Sequence, residues 1–115
     1  MALAKTIADY DTVRTWRSGL SEQWGEEPDM TARTSALQRF CDFVGKDPDA
    51  LIAECTRQVE AGKRIRIKAR RQFSEQIAEF QAASGGSARE QLKLGNTIRS
   101  FFIHNGIFMQ AGLSN

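Results

Sequence analysis

Residues 73–102, FSEQIAEFQAASGGSAREQLKLGNTIRSFF, decide the fold of this chain. Two runs in which apolar residues recur every three or four positions flank the small residues SGGS at 84–87. Such spacing places the apolar side chains on one side of an α-helix. The stretch therefore predicts two helices separated by a short linker. Their apolar positions are Phe73, Ile77 and Phe80 in the first run and Leu94, Ile98, Phe101 and Phe102 in the second.

The second of these helices has clear start and stop residues. Ser87 and Glu90 form the pattern of a capping box, in which each side chain accepts a hydrogen bond from the backbone N–H of the other residue. Asn105 and Gly106 are expected to end the helix, because glycine readily adopts the left-handed backbone conformation common at helix ends. The predicted helix therefore covers about 17 residues that end near His104, enough for nearly five turns.

Helical spacing also dominates the chain upstream, where no β-hairpin pattern is recognised. Thr31 is the expected N-cap of one helix and Asp47 of the next, while Gly45 is the stop between them. The fold class predicted is all-α, a compact bundle of four to five short helices. The upstream helices are expected within 11–20, over about 31–44, from 48 to about 59, and from shortly after Gly62 to about 83.

Charge is distributed unevenly, although the net charge is only +2. Residues 1–56 hold six basic and ten acidic side chains, whereas residues 57–71 hold seven basic and one acidic. Residues 72–115 hold three of each. The positive field is therefore local, and local fields of this kind recruit anionic partners.

The nine positions from Lys63 to Arg71 contain six cations and no acid. On a continuous helix Ile67 would lie exposed between two cationic rows, which fits a contact surface. Two interpretations stay open for this run, a hydrated charged helix face or a surface for a polyanion. The two rows are Lys63, Arg66 and Arg70, and Arg64, Lys68 and Arg71.

The final helix adds a second polar face. Arg89, Lys93 and Asn96 follow spacing of four and three, and Arg99 adds a further cation. Arginine and asparagine are suited to bidentate contacts with guanine and adenine edges, and the free N–H groups at a helix start suit a phosphate. An ordinary exposed helix side would show the same residues, so both interpretations are kept.

No catalytic or metal-binding constellation is found in the sequence. The single histidine, His104, has no partners for a catalytic triad and lies far along the chain from both cysteines. The segment ASGGS lacks the lysine of a phosphate-binding loop. We therefore expect no catalytic residue, no metal and no cofactor, and we expect Cys41 and Cys55 to be buried reduced thiols.

The chain is expected to be cytoplasmic and to have no membrane partner. No apolar stretch approaches the roughly 18 residues that a membrane span needs, and the first residues lack the apolar core of a signal peptide. Apolar content of 41% and charged content of 26% are ordinary for a soluble globular protein.

Three segments together resemble the N-terminal core-binding, SAM-like domain of tyrosine recombinases, the phage integrase class. They are 12–24, TVRTWRSGLSEQW, 31–52, TARTSALQRFCDFVGKDPDALI, and 73–109, which begins with the stretch quoted first and ends in IHNGIFM. The features shared with that family are mostly packing positions. They are the Leu37–Phe40–Phe43 run, GKDPD at 45–49, the Phe73–Ile77–Phe80 helix, the small-residue turn, and IRSFF at 98–102.

This resemblance implies a four-helix module that covers one face of a DNA duplex while a separate catalytic domain closes on the other. The expected partners are double-stranded DNA, a catalytic recombinase domain C-terminal to this segment, and other protomers on DNA. Arg33 and Arg39 are weaker candidates for contacts. The DNA-binding residues that the resemblance implies by position are Lys63, Arg64, Arg66, Lys68, Arg70, Arg71, Arg89, Lys93, Asn96 and Arg99.

The resemblance also implies a division of the chain into a tail over 1–11, a core-binding domain over 12–109, and the start of a linker over 110–115. The Arg, His and Tyr series of strand cleavage has no counterpart here, so we do not expect this chain to cut DNA by itself. Gly95 and Trp24 depart from the pattern of the family. The alternative function is a helical protein–protein adaptor whose exposed Ile67, Phe108 and Met109 enter an apolar groove.

Overall fold

The computed structural model describes residues 3–110 and contains five α-helices, a two-stranded antiparallel sheet and a short 3-10 helix within that range. The fold class is therefore mostly helical, and the prediction of an all-α chain is right only in this coarser sense. In chain order the elements are a 3-10 helix Ile7–Asp9, α1 Asp11–Trp24, α2 Thr31–Val44, α3 Pro48–Cys55, β1 Thr56–Val59, β2 Gly62–Ile65, α4 Ile67–Ala83 and α5 Ala88–His104.

Local sequence sets most helix ends, as predicted, but the end expected for α1 near residue 20 is wrong, because this helix continues to Trp24. The Ser87–Glu90 capping box is formed with both hydrogen bonds at 3.1 Å, and it lowers the pKa of the Glu90 carboxyl through the backbone N–H that this carboxyl accepts from. Asp47 accepts from the N–H of residue 50 at 2.7 Å, and Gly45 ends α2 at φ +74°. The N-cap predicted at Thr31 is wrong, because that position is held by Met30 without a side-chain cap.

Aromatic rings form the centre of the core. Phe102 is fully buried and lies with its ring centroid 5.7 Å from that of Phe73, 5.6 Å from that of Phe101 and 6.5 Å from that of Phe40. Because these partners lie on α2, α4 and α5, one side chain joins three helices. The pairs with Phe40 and Phe101 are edge-to-face and the pair with Phe73 is tilted, and aromatic pairs of this kind add about 0.5–1.5 kcal/mol each beyond area burial.

The helices α4 and α5 pack antiparallel. Phe73, in the second turn of α4, contacts Phe102 near the end of α5, and Gln81 near the end of α4 contacts Arg99 and the backbone at Gly95. Lys93 therefore lies level with the end of α4, whereas the start of α4 lies beside the end of α5. At 1.5 Å per residue the two ends are about 20 Å apart along the helix axis.

The helix predicted to follow Gly62 is wrong over its first residues. The chain forms a β-hairpin there, α3 ends at Cys55 rather than near residue 59, and α4 begins only at Ile67. The alternation Arg64-Ile65-Arg66-Ile67 has period two, and a glycine, Gly62, follows the two-residue turn Glu60-Ala61, so the signal of a hairpin was present. Gly62 has φ +124°, a conformation that side chains disfavour.

Segments at both ends of the described range pack against the core. Tyr10 is 3% exposed although it lies in the predicted tail, and Ile7 packs against the same core. Met109 is only 4% exposed, so its predicted exposure is wrong. Phe108 and Ile67 are 57% and 62% exposed, as predicted.

Both cysteines are buried and unpaired, as predicted. Burial raises the pKa of the Cys41 thiol to about 12 and that of the Cys55 thiol to about 11. The residues that the structure describes contain no group of three or more His, Cys, Asp or Glu side chains arranged to hold a metal ion. None of the helices between residues 3 and 110 is long and apolar enough to cross a membrane.

Candidate nucleic-acid interface

Seven cations gather on the hairpin and on the first turns of α4, and we call them the basic hairpin cluster. All are exposed apart from Arg70, which is partly buried. Six of them were predicted as site residues on two adjoining rows of one helix, which the structure corrects, because these six lie on β2, on α4 and on the residue between them. The cluster comprises Arg57 on β1, Lys63 and Arg64 on β2, Arg66 between the sheet and the helix, and Lys68, Arg70 and Arg71 on α4.

The register of the hairpin sets two like charges against each other. Arg57 pairs directly with Arg64, and Gln58 pairs with Lys63. Like charges directly opposite on an antiparallel pair are destabilising, and an isolated two-stranded hairpin is only marginally stable in water. The backbone N–H of Arg66 donates to the carbonyl of Cys55 at 2.7 Å, which anchors the base of the hairpin. Beyond this anchor, an anionic partner would relieve the repulsion between Arg57 and Arg64.

The positive charge of this cluster is not neutralised by any carboxylate of the described part of the chain. Over residues 3–110, no ion pair joins any of the seven cations to a carboxylate. The acidic first half binds its own cations, as in the pairs of Arg17 with Glu27 and of Lys46 with Glu54, the latter at 3.1 Å. The cationic groups beyond Gly62 therefore face solvent as a strongly positive patch, in which Glu60 in the turn of the hairpin is the one acidic residue between residues 57 and 71.

Both strands of the hairpin lie outside the core. No residue between Thr56 and Arg66 belongs to the buried cluster, and only Thr56, Val59 and Gly62 are partly buried. The hairpin is thus a two-stranded ribbon with cationic side chains on an accessible surface. A ribbon of this kind fits the major groove of B-DNA, which is about 12 Å wide.

The polar face of α5 belongs to a different surface. Residues of α1, α2 and α5 line a groove of about 450 Å³, and no acidic side chain is among them. Trp24 at the end of α1 is 47% exposed there, and the Arg33 guanidinium lies 4.6 Å from the centre of its ring. We call this the tryptophan groove. Its lining includes Trp16, Trp24, Arg33, Arg89, Leu92, Lys93 and Asn96.

Arg99 does not belong to either surface, and its predicted exposure is wrong. Its side chain is 7% exposed, and its guanidinium donates to Gln81 Oε1 at 2.6 Å and to Asn96 Oδ1 at 2.9 Å. Burial lowers the pKa of this guanidinium from its usual value, although arginine stays charged. The buried Arg99 therefore fixes the orientation of the Asn96 side chain. Because Asn96 Oδ1 already accepts from Arg99, Asn96 chiefly offers its Nδ2–H donors to a ligand.

Gly95 is required by the same network. A Cβ at this position would overlap the Gln81 side chain, which holds the buried Arg99. Gly95→Ala is expected to lower the free energy of unfolding by about 1–3 kcal/mol, because Gln81 must move and leave a buried charge underbonded. In an ordinary helix interior the same change would stabilise by about 1 kcal/mol. Urea denaturation gives the sign, and a stabilised variant would contradict the packing described.

The two surfaces occupy opposite ends of the α4–α5 pair. The basic hairpin cluster lies at the start of α4, whereas Arg89 and Lys93 lie near the start of α5, about 20 Å away along the axis. Arg39, the other weak candidate, instead lies 5.7 Å from the ring of Phe80. The single extended surface inferred from sequence is thus two basic surfaces, and the second includes Arg33 as a full member.

Sequence reasoning missed Arg57, Trp24 and the grouping of Arg33 with α5. Arg57 was counted in the positive segment, but it was placed on a helix expected to reach residue 59. In the structure this helix ends at Cys55, and Arg57 lies on β1. Trp24 precedes Gly25, which ends α1 at φ +72°. Trp24 lies at a helix end among acidic residues, and this position was the available signal that its ring would be exposed.

Comparison with models of protein families, with curated proteins and with solved structures finds no match to this chain.

Proposed function

We propose that this chain binds duplex DNA through the basic hairpin cluster. The observation that carries the proposal is a β-ribbon and adjoining helix start that together present seven cations, none of which is paired with a carboxylate over residues 3–110. Affinity would come mainly from lysine and arginine displacing counterions from phosphates. The ribbon lies in a groove while Lys68, Arg70 and Arg71 contact the flanking backbone.

Within this proposal the chain is the DNA-gripping module of a tyrosine-type recombinase, acting in DNA integration or recombination. Support comes from the resemblance of residues 12–109 to the SAM-like core-binding domain and from the mostly helical fold. Strand cleavage would belong to a separate catalytic domain. The hairpin between α3 and α4 is the part of the chain that we expect to differ most from a purely helical module.

The test is a titration of the chain into a fluorescently labelled 20-bp duplex, followed by anisotropy at several salt concentrations. We expect binding near 50 mM salt with a Kd below about 100 µM, and a log–log salt slope of about −0.9 for each phosphate contacted. A slope of about −4 to −6 would correspond to five to seven contacts. Absence of binding under these conditions would remove the proposal.

The adaptor alternative makes the opposite prediction about salt. Its apolar anchors are reduced to Ile67 and Phe108, because Met109 is buried. Association through these side chains would depend little on ionic strength, and it would survive charge reversal at Arg70 and Arg71. The same salt series therefore separates the two functions.

A further inference from the structure

The tryptophan groove combines an exposed aromatic ring with cations and has no role in duplex binding by the hairpin. Trp24 and Leu92 are 47% and 44% exposed, and both line the groove. Large apolar side chains gathered in a concave surface indicate a binding site more strongly than single exposed ones do. The question is which ligand needs both an apolar platform and positive charge.

The positive charge of the groove indicates an anionic ligand. Arg33, Arg89 and Lys93 line the groove, and none of its lining residues is acidic. No ion pair within residues 3–110 involves any of the three. Arg33 donates one N–H to the backbone carbonyl of Asp29 at 2.6 Å, which holds its guanidinium over the ring and leaves its other donors for a ligand.

Shape limits the answer further. The Arg33 guanidinium over the Trp24 ring and the ring itself both offer flat surfaces on which aromatic groups stack, and nucleobases are the common instance. A groove of about 450 Å³ is within the range of small-ligand sites and holds one or two nucleotides. Bases in a duplex already stack on one another, so the ring requires an unpaired strand.

We propose that the tryptophan groove binds single-stranded DNA, with a base stacked at Trp24 and the adjoining phosphates held by Arg33, Arg89 and Lys93. Asn96 adds an Nδ2–H donor, since its Oδ1 already accepts from Arg99. The charged side chains of the groove supply hydrogen-bond donors only, which suits the acceptor oxygens of phosphates and the acceptor atoms of bases. This site is independent of the duplex-binding function proposed above.

Tryptophan fluorescence tests the proposal directly, because the chain has two tryptophans in contrasting places. Both line the groove, but Trp16 lies at its base, fully buried, and donates from Nε1 to Ser100 Oγ at 3.0 Å, whereas Trp24 is 47% exposed. Titration of the chain with the oligonucleotide dT8 should quench the Trp24 emission and leave the emission of a Trp24→Leu variant unchanged. Absence of quenching in the parent chain at low salt would overturn the proposal, whatever a duplex does.

Variants assign the contacts by anisotropy of labelled dT8. Trp24→Leu and, separately, Lys93→Gln should each weaken binding by about tenfold. The matched controls Phe108→Leu and Lys5→Gln change an exposed aromatic and an exposed cation outside the groove, and they should leave the affinity of dT8 unchanged. Equal losses in variants and controls would overturn the site.

Two further arms separate this site from its alternatives. Lys63→Gln/Arg64→Gln in the hairpin should leave dT8 binding within about threefold of the parent chain, because those residues lie outside the groove. A failure of duplex binding together with retained dT8 binding would remove only the function proposed for the hairpin. Tighter binding of rU8 than of dT8 would overturn the assignment to DNA.

Discussion

Reversing two charges on β2 with Lys63→Glu/Arg64→Glu is expected to weaken duplex DNA binding by about 100-fold near 50 mM salt. For each phosphate contacted, log affinity falls by about 0.9 when the salt concentration rises tenfold. One contact therefore makes the affinity near 50 mM salt about tenfold higher than at 1 M. Loss of two contacts should also reduce the log–log salt slope by about 1.8. Anisotropy with a 20-bp duplex measures both quantities.

The same substitution should leave the hairpin intact. A glutamate at residue 64 faces Arg57 across the strands, and an opposite-charge pair at this position contributes roughly 0.2–1 kcal/mol where a repulsive pair now stands. Binding is therefore lost while the free energy of unfolding is unchanged or slightly higher. A loss of binding without a loss of stability shows that the variant lacks a DNA contact and is not simply misfolded.

The matched control is Lys5→Glu/Arg14→Glu, which changes the net charge by the same amount. Both side chains are exposed, and Arg14 lies on α1 beside Asp11 rather than near the hairpin. Only long-range electrostatics should change, so we expect less than about a threefold loss of affinity at physiological salt. An equal loss in the control would mean that net charge, and not the hairpin, determines binding.

The largest effect on stability is expected for Phe102→Ala, at about 3–5 kcal/mol. The ring is fully buried and contacts aromatic side chains of α2 and α4, so its removal leaves a cavity at the junction of three helices. The loss is a large part of the 5–15 kcal/mol by which folded domains are stable. Urea denaturation should show a much lower midpoint, with a fall in Tm of roughly 10–20 °C.

Phe108→Ala is the control for this substitution. The residue type and the change are identical, but the Phe108 side chain is 57% exposed. We expect a loss below about 1 kcal/mol, because little area leaves the core. Similar midpoints for the two variants would contradict the core described for this fold.

The helices were predictable where local chemistry sets them. Ser87 and Glu90 satisfy each other's backbone N–H groups, and Asp47 with Pro48 starts α3, because four N–H groups at every helix start lack a partner inside the helix. These requirements act within a few residues and can be read from one segment. Helix α2 accordingly has the boundaries expected for it.

The hairpin was missed because two periodicities overlap in residues 62–71. Ile65, Ala69 and Phe73 continue a helical stripe, while the alternation around Ile65 and Ile67 has the period of a strand. Apolar periodicity alone does not distinguish the two over so few residues. The Gly62 turn and pairing with β1 decide the outcome, and Ile65 lies 37% exposed on the strand.

By itself the sequence determined where α2 and α5 begin and end, the aromatic composition of the core, and the concentration of positive charge in residues 57–71, because each depends on neighbours along the chain. Only the tertiary structure decided that Arg99 lies inside, that Trp24 lies outside, and that Arg33 of α2 shares a groove with Lys93 of α5. The exposure of a side chain depends on which distant segments pack over it. No periodicity within one helix contains that information.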